Sequence, residues 1–64
     1  MVDLKAAKDA VRSYLNEKGY PSDADGRSRA YAGCFDYLLQ QGHKDLTNRQ
    51  YKDLFDDVLA EKPS

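Results

Sequence analysis

Two aspartates one residue apart, followed by glycine, stand in the stretch YPSDADGRS, residues 20–28. Alternating carboxylates ahead of a glycine are the middle of a calcium loop, where they supply oxygen ligands while the glycine allows the sharp turn. Aligning Gly26 with that glycine puts Asp25 and Asp23 at loop positions five and three. Position one then falls on Pro21, which has no side-chain oxygen, and position twelve on Ala32, where a bidentate glutamate is required. Two carboxylates cannot supply the six or more oxygens that calcium needs. The stretch reads instead as a connector, in which Ser22 or Asp25 caps a helix and Gly26 relaxes a turn.

Cys34 and His43 are the only soft ligands, one of each. One thiol and one imidazole make neither a zinc site nor a nucleophile with its base and a third orienting group. No glycine-rich loop could cradle a phosphate, and no nucleophile motif is present. The carboxylates fall on helical segments whose outer surfaces are convex. The expectation is a non-enzymatic chain with no catalytic residues, no metal and no cofactor.

Binding chemistry is better represented. Asn48, Arg49 and Lys52 open the last helical segment, and such side chains suit purine edges in a major groove. The same segment carries Asp53, Asp56, Asp57 and Glu61, which would repel phosphates, and the connector before it is long for a helix-turn-helix. Toward a protein partner those four acids are instead a docking patch for basic groups, because negative charge near a helix C-terminus does nothing for local stability. A second candidate surface is Ala30, Gly33 and Tyr37 on the middle helix. A glycine inside a helix costs about 1 kcal/mol relative to alanine, so Gly33 implies that another helix comes close. Tyr37 would be the anchor of such a contact.

Three helical segments must position these residues. The first spans about 3–18, with Leu4, Ala7, Val11, Tyr14 and Leu15 on one stripe and Asp3 as N-cap. Gly19, Tyr20 and Pro21 end it, with the Tyr20 ring folding back over the last turn. The second spans about 23–41, its start open between Ser22 and Ser28. Its apolar arc is broad: Cys34, Leu38, Tyr31, Phe35 and Leu39, flanked by Ala30 and Tyr37 on one side and Ala32 on the other. Such a helix is sandwiched by two neighbours or offers its surplus to a partner. The third spans about 48–61, opened by a capping box in Thr47-Asn48-Arg49-Gln50. No segment alternates with period two. An all-α, compact three-helix bundle follows, a single domain over residues 1–64 with the middle helix most buried and the last three residues fraying.

Sixty-four residues lie near the lower limit for folding without disulfides or metals, so little core is to be spared for a pocket. Ten basic and eleven acidic side chains leave a net charge of −1, which makes nucleic acid and anionic membranes poor partners. The lone cysteine and a charged N-terminal stretch without an apolar run point to the cytoplasm. The functional expectation is a small protein–protein interaction or regulatory module, acting on another protein or as a homodimer. A bacterial or phage accessory or inhibitor protein fits on size alone. The alternative is a helix-turn-helix-like DNA-binding regulator reading through Asn48, Arg49 and Lys52.

Overall fold

The computed structural model describes residues 3–61; Lys62, Pro63 and Ser64, the segment expected to fray, lie outside the described residues. Three helices follow one another: α1 (Leu4–Lys18), α2 (Ala24–Gln40) and α3 (Asn48–Ala60). They pack into an all-α three-helix bundle, with no strand among the described residues.

Each helix starts where a side-chain oxygen satisfies a free N–H of the first turn. At α1, Asp3 Oδ1 accepts from the Ala6 N–H at 3.0 Å. At α3 the capping box closes in both directions: the Gln50 N–H donates to Thr47 Oγ1 at 3.1 Å, and the Thr47 N–H to Gln50 Oε1 at 3.0 Å. At α2 the cap is Asp23, accepting from the Gly26 N–H at 2.6 Å, and not Ser22 or Asp25. Asp25 falls inside the first turn, where its charge favours the helix dipole. Gly26 therefore lies within α2. A Cβ there would press to 3.0 Å from the capping carboxylate and 3.5 Å from Pro21 Cβ, so glycine lets the cap and the proline close over the turn.

The helix ends differ in kind. Gly19 donates to the Leu15 carbonyl at 2.8 Å and adopts φ 94° and ψ 143°, an extended positive-φ conformation rather than the left-handed helical one. Tyr20 packs against the core beside it. Gly42 (φ 93°) closes α2 with a Schellman pair, the His43 N–H to the Leu38 carbonyl at 2.9 Å and the Gly42 N–H to Leu39 at 3.1 Å.

Burial is shared unevenly. α1 buries Ala7, Val11 and Leu15, and α3 buries Tyr51, Leu54, Phe55 and Val58. α2, expected to be the most buried, fully buries only Cys34 and Leu38. The small side chains of α1 let both other helices approach it closely, whereas α2 and α3 are held further apart by aromatic rings. Two neighbours on one side cannot cover the whole arc of α2. Leu4, expected on the core stripe, is 44% exposed at the first turn of α1.

Tyr51 is the hub of the wide seam. Its ring centroid lies 4.6 Å from that of Tyr31, 5.1 Å from Phe35 and 6.0 Å from Phe55, while Tyr31 meets Phe55 edge-on at 5.2 Å. Only 1% of Tyr51 is exposed, so its hydroxyl needs a partner, and it donates to the Tyr31 backbone carbonyl of α2. Burial, reinforced by the neighbouring Cys34, pushes the phenol well above the ordinary tyrosine range.

Tyr51→Phe should lower stability by about 1 kcal/mol, the usual net worth of such a hydrogen bond, read from denaturant unfolding. The raised phenol contributes stability that is complete below the ordinary tyrosine pKa of about 10 and lost as pH rises above it. Alkaline unfolding should accordingly be steeper in the native chain than in Tyr51→Phe. Parallel pH profiles of the two would show the idea wrong.

Candidate interaction surface

The inner edge of α2 meets α1. Tyr14 lies across Gly33, so that a Cβ added there would collide with the tyrosine hydroxyl oxygen and lie 3.4 Å from Cζ. The Tyr14 ring also packs on Tyr37, centroids 5.5 Å apart and planes at 43°. Ala30 is half-buried and packs against the core from the same side. The structure thus keeps Ala30, Gly33 and Tyr37 on one edge and lays Tyr14 of the same chain over Gly33 and Tyr37.

The four acids of α3 do not share one environment. Five residues at 100° each turn Glu61 about 140° from Asp56 around the helix. Asp56 faces α2, where Arg27 pairs with one oxygen and Lys52 of α3 pairs with the other at 3.0 Å. Glu61 faces α1, accepting from Lys8 at 2.9 Å and from Arg12 at 2.7 and 3.1 Å; Arg12 in turn holds Asp9 at 2.8 Å. Hydrogen bonds from Lys52 and then Arg27 hold the Asp56 carboxyl below the usual range. Those from Lys8 and then Arg12 do the same for Glu61. Asp53 and Asp57 lie between these two clamps, exposed and with no ion-pair partner among the described residues.

At the start of α3, Asn48 and Arg49 are exposed in the first turn, and Lys52 is exposed but engaged by Asp56. His43 is half-buried on the turn after α2. Cys34 is fully buried, and burial pushes its thiol up. Among the described residues no three His, Cys, Asp or Glu side chains converge into a metal site, and no helix is long and apolar enough to cross a membrane.

The outer edge of α2, opposite α1, is a surface that the sequence does not single out. Ala32 and Leu39 are exposed, the latter at 42%, and Phe35 is half-buried against Tyr51. Beside them runs a shallow groove at the α2–α3 seam, lined by Tyr31, Ala32, Phe35, Asn48 and Tyr51. A depression lined by Arg27, Ser28, Tyr31, Lys52 and Asp56 lies next along the seam. The signal was the excess width of the α2 arc, which gives an apolar surplus without saying which side of it stays open. No known protein family, curated protein or solved structure matches the chain.

Two expectations follow from these contacts. In a Tyr14→Phe background the obstacle over residue 33 is gone, so Gly33→Ala should stabilise by about 1 kcal/mol, the helix-propensity gain. In the native background the same change should gain little or lose stability. A double-mutant cycle with zero coupling would refute the crossing. Among the acids, Asp56→Asn and Glu61→Gln should lower Tm at neutral pH, while Asp53→Asn and Asp57→Asn should leave it unchanged or raise it. Depressed carboxylates contribute stability above their ordinary pKa and lose it as pH falls through the folded-state value. The Asp56 and Glu61 deficits should therefore vanish by about pH 2, checked by thermal melts from neutral to acid.

Proposed function

We propose that the chain is a non-enzymatic module, working in the cytoplasm, that binds another polypeptide through the outer edge of α2. The observation that carries this reading is the row of exposed Ala32 and Leu39 with half-buried Phe35 between them, beside the groove over Tyr31 and Tyr51. Apolar positions three and four apart on an uncovered helix edge suit the face of an incoming helix. Single exposed apolar residues need no explanation, but a row of them flanking an aromatic-floored groove has the anatomy of an interface core. Asp53 and Asp57, free of the two clamps, add a negative edge that would steer basic partners.

DNA recognition through Asn48, Arg49 and Lys52 has less support. Lys52 is held by Asp56, and Asp53 lies one residue further along the same helix.

Affinity capture from the source cells with the intact chain as bait, followed by mass spectrometry, tests the reading. Ala32→Arg and Leu39→Lys should each reduce recovery of the captured partner at least about tenfold, a loss of roughly 1.4 kcal/mol. Charge reversal at Asp53 and Asp57 together should slow association and leave the melting curve intact or improved. Undiminished capture by both α2 variants would remove that edge from the account. A mobility shift on random duplex at low salt would instead favour the DNA reading.

A further inference from the structure

The uncovered edge of α2 carries Ser28, Ala32, Phe35 and Leu39, spaced four, three and four residues apart. This is the heptad spacing of a helix–helix seam, extended over about 16 Å of helix. The four positions are not alike. The two near the start of α2 are small, and the two near its end are large. An antiparallel copy of the same edge would set Leu39 against Ser28 and Phe35 against Ala32, each large side chain facing a small one. A parallel copy would stack phenylalanine on phenylalanine and leave alanine facing alanine, a worse fit.

The charges beside the seam select the same arrangement. Arg29 and Asp36 stand on one flank of it, seven residues apart, both exposed. Neither is in an ion pair among the described residues, and Asp36 accepts only a long hydrogen bond from Gln40 at 3.4 Å. Antiparallel pairing brings Arg29 of each copy beside Asp36 of the other, twice by symmetry. Parallel pairing would set this flank against the opposite flank of the partner and leave both charges unmatched. The opposite flank is closed by α3, whose Asp56 already engages Arg27 of α2 and its own Lys52.

We infer that the occupant of the α2 edge is a second copy of this chain, packed antiparallel about a two-fold axis that passes between residues 33 and 34. The inference rests on the reading of this edge as a binding surface and names what fills it. The contact is isologous and closes at two copies, so it does not propagate into filaments. Its short seam places it among weak, reversible interfaces.

Sedimentation equilibrium of the intact chain from about 10 µM to about 1 mM should show mass rising from monomer toward dimer. Ala32→Arg, at an exposed helical position that leaves the thermal melt intact, should remain monomeric throughout; Leu39→Lys provides an independent check. Arg29→Asp and Asp36→Arg should each weaken the dimer about tenfold, and combining them should restore it to within about threefold. Only an antiparallel seam gives that rescue. Monomer at every concentration, a dimer indifferent to Ala32→Arg, or a charge swap without rescue would overturn the inference. A monomeric native chain that captures a foreign protein through the same edge overturns self-pairing and leaves the binding reading standing. A monomer that captures nothing sinks both.

Discussion

The hydroxyl of Tyr51 is the constraint around which the bundle is arranged. A phenol taken out of water must donate its proton to something, and inside a three-helix bundle backbone groups are already committed to the helices. A helix carbonyl has a second lone pair, and that of Tyr31 is used here. The bond fixes the height of α3 against α2. The ring that carries it then sets their separation, because Tyr31, Phe35 and Phe55 gather around it at centroid distances of 4.6–6.0 Å. With α2 and α3 wedged open, the remaining helix must approach both. Ala7, Ala10 and Val11 give α1 the slim face that permits it.

Two ion clamps work at places the rings do not reach. Asp56 ties α3 to the first turn of α2 through Arg27, spanning the wide seam near its end. Glu61 ties the last turn of α3 to α1 through Lys8 and Arg12. Exposed pairs of this kind add little stability individually and are screened by salt, so their effect is one of register more than of cohesion. They consume two of the four acids that look like a patch in the sequence, and they leave Asp53 and Asp57 as its remnant.

Helix positions were legible because they depend on local physics. The Thr47–Gln50 box, Gly19 and Gly42 each act within one turn of their own residue. The cap of α2 was less so, since Ser22, Asp23 and Asp25 are all competent, and the folded chain uses Asp23, with Pro21 close over Gly26. Gly33 did signal a close approach, but spacing alone cannot say that the visitor is Tyr14 of the same chain. The four acids expected as one docking patch lie in different environments for a related reason. Whether Asp56 is a clamp or a free charge depends on Arg27, distant in sequence and adjacent only after packing.

What the fold explains on α2 can be separated from what it does not. Phe35 is half-exposed, yet its apolar character is required from within, since its ring packs on Tyr51 at 5.1 Å. Ala32 follows from helix propensity alone. Leu39 has no such account. It closes no gap between helices, and only its carbonyl takes part in the turn at Gly42, a role any residue could fill. Ser28 and Leu39 stand at the two ends of one seam, a small and a large residue at matched distances from its centre. An asymmetry of size that becomes complementary only when the helix is paired with its own reverse is what the proposed second copy would account for and the packing of a single bundle does not.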